Sequence, residues 1–315
     1  MLAAAIPTGV LTSGGALSAE TARQMTKVSF TVPPHACDCH THIYGDPIQF
    51  PFSPERVYTP ETATPDEMLA VHRALHIQRV VIVTPSVYGT DNSATLYGMK
   101  AHGSNARGIA VIGEQTSESE LDRMERAGVR GVRINSATAG IRNPTMVGRR
   151  LQKTAERLKG RHWHIQLFTD LAVISGIMGT VQSSPVPVVF DHFGGAQASL
   201  GVEQPGFADL LKLVGSGKAY VKISGAYLAS SQAPDYPDVA PLAKLLISAN
   251  PDRVLWGSDW PHPDAAAASG HPPMKITPFR KIDDGRLLNQ LAVWAPEPAV
   301  RQKILVENPA RLYGF

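Results

Sequence analysis

Short β-branched and apolar runs alternate eight times with helical stretches along this chain, and few architectures accept that order. The strand candidates are 36–40, 79–84, 108–112, 131–134, 163–168, 187–190, 219–223 and 253–256. Runs such as Arg79-Val-Val-Ile-Val83 carry no polar alternation, the composition of a strand covered on both faces. Helix signals lie between them. Thr64-Pro-Asp-Glu67 reads as a capping box with proline at the first helical position, opening a helix to about His76. Ser117-Glu-Ser-Glu120 caps another helix, which stops at Gly128. Further helices are expected over 93–102, 145–159, 171–182, 206–214 and 238–248, then 280–294 and 298–306, the last ended by Asn308-Pro309. Eight strands separated by helices predict a single-domain α/β fold, a (β/α)8 TIM barrel spanning 31–315. A doubly wound sheet is the runner-up, but no glycine-rich dinucleotide fingerprint follows the first strand.

Composition narrows the partners. The chain has 315 residues, 43% hydrophobic, enough for a large core. Its formal net charge of +3 is small and unclustered, which argues against a nucleic-acid partner. The only cysteines, Cys37 and Cys39, imply no disulfide framework and read as two small buried side chains. Residues 1–30 stand apart. An Ala-, Gly- and Ser-rich stretch ends Ala16-Leu-Ser-Ala19, resembling a secretory cleavage site without its basic leader. The expectation is a truncated export signal or a flexible tail, with a periplasmic or exported location and a cytoplasmic one as the alternative. No later run is long and apolar enough for a membrane span. A homo-oligomer is possible on this composition.

A barrel demands that chemistry collect at the C-terminal ends of its strands. His40 and His42 follow the first strand, two apart, so an extended backbone aims both rings to one side. Ser86 follows the second, Arg133 lies on the fourth and Gln166 on the fifth. Asp191-His192 follows the sixth, Ser224 and Tyr227 the seventh, and Asp259 the eighth, in a loop stiffened by Pro261 and Pro263. Each alone reads as a packing residue or a turn; the convergence of three histidines and an aspartate does not.

These residues resemble the amidohydrolase superfamily, in its lactonase-like branch. Asp38-Cys-His-Thr-His-Ile-Tyr-Gly45 is similar to the opening motif of that branch. Ser86-Val-Tyr-Gly-Thr-Asp-Asn92, Phe190-Asp-His-Phe-Gly194, Val221-Lys-Ile-Ser224, Gly257-Ser-Asp-Trp-Pro-His262 and Asn308-Pro-Ala310 continue it. The resemblance runs from about residue 36 to the C-terminus. It implies hydrolysis of a carboxylic ester, in a lactone ring. By that likeness Asp259 is the general base that takes a proton from water, and His40, His42 and His192 surround the carbonyl and stabilise the oxyanion. It also implies that Tyr58, Ser86 and Arg133 contact substrate; Gln166, Tyr227, Trp260 and His262 are further candidates.

Departures from the branch bear on the substrate. Branch members that bind two carboxylates use several arginines, whereas after Arg133 no basic residue follows until Arg142. The expected ligand therefore carries at most one carboxylate. Two histidines and a carboxylate can hold one zinc ion, through His40, His42 and Asp259. A two-metal site would need a bridging lysine or carboxylate where Arg133 stands. The expectation is a metal-free enzyme requiring no cofactor, with mononuclear zinc as the alternative. A decarboxylase, a lactone isomerase and a non-catalytic barrel are the competing readings.

Overall fold

The computed structural model describes residues 25–265 and 272–315. Eight parallel strands run in sequential order: β1 (Cys37–Thr41), β2 (Arg79–Val83), β3 (Ala106–Ala110), β4 (Val129–Asn135), β5 (His164–Phe168), β6 (Val188–Phe190), β7 (Ala219–Ser224) and β8 (Val254–Gly257). Helices connect them in the right order for a TIM barrel. Both expected capping boxes form: Glu67 accepts from the Thr64 amide at 2.7 Å, and Glu120 from the Ser117 amide at 2.8 Å. No helix of the described residues is long and apolar enough to cross a membrane.

The seam between β1 and β8 closes at the functional rim. The His42 amide donates to the Trp260 carbonyl at 2.9 Å, and the Asp259 amide to the His40 carbonyl at 2.8 Å. Gly257 permits this approach, since a Cβ there would sit 2.7 Å from the Cβ of His40. Asp38 reinforces the seam from outside the barrel. It accepts from the Ser258 amide at 2.9 Å and hydroxyl at 2.5 Å, and lies 3.2 Å from His72 Nε2. Cys37 and Cys39, both free, pack with Val81, Val83, Ile109 and Leu255. The pairing of β1 with β2 shifts register between Asp38 and Thr41, an irregularity of the kind that re-aims side chains. Just past Cys39 it brings His40 against Lys222 and Asp191 of the facing strands.

Several boundaries differ from expectation; the strand expected from 131, for one, begins at Val129. Strand β3 begins at Ala106 because Arg107, a charged residue, is accommodated at its edge, donating to the carbonyls of Tyr313 and Gly314. The 171–182 helix is broken into Leu171–Gly176 and Met178–Gln182. Gly176 there presses on Pro144, where a Cβ would come within 2.5 Å, a tertiary contact invisible to periodicity. The helix expected from 280 starts at Asp284, capped by Asp283, because the Arg280 amide is drawn to the His262 carbonyl at 3.0 Å. Asn308-Pro309 does not end the last helical stretch: Asn308–Tyr313 continues it. Proline is tolerated there in a first turn, where its missing N–H is not needed.

Of the stretch read as an export signal or tail, residues 1–24 lie outside the described residues. Residues 25–30 rest on the barrel. The Thr26 amide and hydroxyl donate to Asp283, and Ser29 to Asn289.

Candidate active site

A cavity of about 540 Å³ opens at the C-terminal end of the barrel, within the range of small-ligand sites. His42, Tyr58, Ser86, Arg133, His192 and Asp259 line it. Asp259 stands between the imidazoles. Its Oδ1 is 3.5 Å from His40 Nε2 and 3.4 Å from His42 Nε2, and has no hydrogen-bond partner among the described residues. Its Oδ2 accepts the Tyr227 hydroxyl at 2.6 Å. The backbone of Asp259 has φ 65° and that of His192 φ 48°, left-handed conformations that are uncommon for such residues and gather at functional sites.

Burial raises the Asp259 carboxyl, but the imidazoles of His192, His42 and His40 more than offset it and hold the carboxyl far below the usual carboxylate range. Burial, then the charge of Lys222, pushes His40 well below the ordinary histidine value, and burial lowers His192 as well. The Asp259 carboxylate is thus ionised at rest, and the rings of His40 and His192 are held toward the neutral form. The His42 ring is oriented by its Nδ1, 2.7 Å from the Val83 carbonyl. A carbonyl only accepts, so Nδ1 carries a proton, and in its neutral form the ring turns the Nε2 lone pair toward Asp259. His192 Nδ1 lies 3.0 Å from the Ser224 hydroxyl.

Beneath the rim lies a buried polar layer that sequence reasoning did not assign. Lys222 Nζ donates to Gln166 Oε1 at 2.6 Å, and Gln166 Nε2 donates to Asp191 Oδ2 at 2.9 Å. Burial raises the Asp191 carboxyl, yet Lys222 and His40 draw it well below the carboxylate range. Lys222 is itself lowered by burial, against the opposing pull of Asp191. The only sequence signal for this layer is a polar residue at the inward position of an otherwise apolar strand.

The expected substrate contacts divide. Tyr58, Ser86 and Arg133 line the cavity; Gln166, Tyr227, Trp260 and His262 do not. Gln166 belongs to the layer below, Tyr227 holds Asp259, and Trp260 supplies the seam carbonyl. His262 lies 3.1 Å from Asp284. Two arginines not assigned from sequence, Arg142 and Arg280, also line the cavity. Arg280 lies in the segment after β8, which is clasped to the β1 loop by pairing of Ile276–Thr277 with Thr59–Pro60.

Nε2 of His40, Nε2 of His42 and a carboxylate oxygen of Asp259 lie within 4.8 Å of one another, and the unpartnered Asp259 Oδ1 and the His42 lone pair suit one divalent ion. His40, Asp191 and His192 form a second such group, but Lys222 already stands 3.4 Å from Asp191 Oδ1.

A near-closed parallel barrel carrying His40 on its first strand, His42 just past it and a carboxylate just beyond its last strand has the arrangement of the amidohydrolase class. The chain belongs to the amidohydrolase family, which matches residues 37–315. It is 35% identical over 289 residues to 4-sulfomuconolactone hydrolase of Rhizobium radiobacter, covering 91% of this chain and 92% of that one. It is 33% identical over 297 residues to 2-pyrone-4,6-dicarboxylate hydrolase of Comamonas testosteroni, covering 91% and 93%. The crystal structure of a putative 2-pyrone-4,6-dicarboxylic acid hydrolase from Pseudomonas putida superposes with a TM-score of 0.75 at 29% identity, covering 90% and 98%.

Proposed function

We propose that this enzyme opens a lactone ring by general-base hydrolysis, with Asp259 as the base. The observation that carries the reading is Asp259 Oδ1, an ionised, unpartnered oxygen inside the cavity within 3.5 Å of two imidazoles. The two curated relatives are named for lactone hydrolysis, which supports the same class of substrate.

Water is a poor nucleophile at neutral pH, and a positioned base contributes about 10²–10⁴-fold. A water between Asp259 Oδ1 and His42 Nε2 meets two acceptors, so both its protons are directed away from the attacking lone pair. His42 therefore joins Asp259 on the water side. His40 and His192 face the ester carbonyl oxygen as it gains charge, and donors aimed at that position stabilise the tetrahedral intermediate. As the C–O bond breaks, the proton held by Asp259 passes to the leaving alkoxide.

Arg133 reads the substrate carboxylate. Among the described residues its Nε has no hydrogen-bond partner, and the Asp191 carboxylate is 3.8 Å away. Arg280 is already engaged, donating to Asp264 at 2.7 Å, and Arg142 is 3.9 Å from Asp170. Of these three arginines only Arg133 is buried, Arg142 being 83% exposed and Arg280 33%, and one buried guanidinium supports a lactone with a single carboxylate.

The reading proposes metal-free turnover. The alternative is favoured by the same three donors: a divalent ion held by His40, His42 and Asp259 would polarise the ester carbonyl or lower the pKa of water. A panel of carboxylated and neutral lactones, assayed before and after chelation, tests both. Turnover that survives exhaustive chelation is expected. Loss restored by zinc would replace the metal-free reading, and no turnover of any lactone would remove the function itself.

A further inference from the structure

Lys222 is a fully buried cation at the centre of the barrel, and the hydrolysis above gives it no task. Its Nζ lies 2.6 Å from Gln166 Oε1, 3.3 Å from His40 Nδ1 and 3.4 Å from Asp191 Oδ1. An ammonium carries N–H donors and no acceptor, so Gln166 Oε1 and His40 Nδ1 both accept from it, and the Asp191 carboxylate stands beside it as the counter-charge. Gln166 cannot be turned round, because its amide nitrogen is committed to Asp191 at 2.9 Å. His40 Nδ1 is also 3.3 Å from Asp191 Oδ1, a contact whose geometry falls short of a hydrogen bond.

We propose that Lys222 is a positioning residue that fixes His40 in one tautomer, with Nδ1 accepting from the ammonium and the proton on Nε2. That proton has no hydrogen-bond partner among the described residues, and Asp259 Oδ1 lies 3.5 Å from Nε2. His42 is held in the opposite tautomer by the Val83 carbonyl. Two histidines one residue apart thus present a donor and an acceptor to the reacting centre, one suited to the carbonyl oxygen and the other to water. The same assignment withholds the His40 lone pair from a metal ion. A single buried side chain, remote from substrate, decides what His40 can do.

The kinetic consequence rests on the lactone-opening reading; the tautomer does not. Long-range nitrogen–proton NMR spectra of protein labelled with nitrogen-15 histidine report which ring nitrogen carries the proton, with His40 assigned by its loss in His40→Asn. The wild type is expected to show His40 protonated at Nε2 and bare at Nδ1. Lys222→Met is expected to move the proton to Nδ1 or to mix the two forms, and to lower kcat about 10²-fold with KM little changed, the signature of a lost transition-state donor. A wild-type spectrum with the proton on Nδ1 overturns the proposal, even if Lys222→Met fails to fold or no lactone is turned over. A folded Lys222→Met that keeps the proton on Nε2 overturns it equally.

Discussion

The amide of Asp259 donates to the carbonyl of His40 across 2.8 Å. The proposed base and one of its imidazoles are therefore joined by a bond of the seam that closes the barrel. Their side chains meet again at 3.5 Å on the cavity side. Position and fold are coupled here: whatever keeps β1 and β8 together also sets the distance between carboxylate and ring. Asp38 and Ser258 hold the same seam from the opposite face.

Tyr227 takes no part in binding substrate on this account; its hydroxyl holds Asp259 Oδ2 at 2.6 Å. Tyr227→Phe leaves the cavity lining intact and frees one carboxylate oxygen. Steady-state kinetics should show kcat lowered by about tenfold, the scale of one hydrogen bond to a charged group, with KM nearly unchanged. A rise in KM alone would return the tyrosine to the substrate.

Arg133→Met removes the one buried guanidinium among the three arginines that line the cavity. For a carboxylated lactone KM should rise about 10–100-fold, while a neutral lactone of similar size is turned over as before. Equal effects on both would assign Arg133 to the structure of β4.

Much of this was legible from sequence, and the misses share a cause. Strands such as Arg79–Val83 announce themselves because both faces are buried and every residue is apolar or β-branched. His40, His42, His192 and Asp259 were found because a barrel places strand ends at one rim. Lys222 was missed because Val-Lys-Ile-Ser read alone suits a strand with one solvated position. Only closure of the barrel turns that position inward, where Gln166 and Asp191 await it. Arg280 was assigned to a helix, since its backbone link to His262 depends on a loop whose path local sequence does not encode. Trp260 and His262 sat in the right motif and face away from the cavity, because the turn through Asp259, at φ 65°, sends its neighbours elsewhere.

Acid should destabilise the fold through histidines buried in the neutral state. Burial, and then Lys222, lowers His164 from 6.5 to about 3. Between those values the unfolded chain binds a proton that the native state refuses, so stability is complete above about pH 6.5 and falls as pH drops. The slope from this residue is about 1.4 kcal/mol per pH unit. His40 and His192, also lowered, act in the same direction. Urea unfolding at pH 7.5 and pH 5 should show the loss, and His164→Gln should reduce the difference. Equal stability at the two pH values would contradict neutral burial.

The most direct measurement is turnover and ligand binding by Asp259→Asn, side by side. The substitution keeps the shape and removes the proton acceptor. The account predicts that kcat/KM falls by at least about 10²-fold while the ring-opened product or an unreactive lactone analogue still binds, read by calorimetry. Turnover near that of the wild type would contradict it.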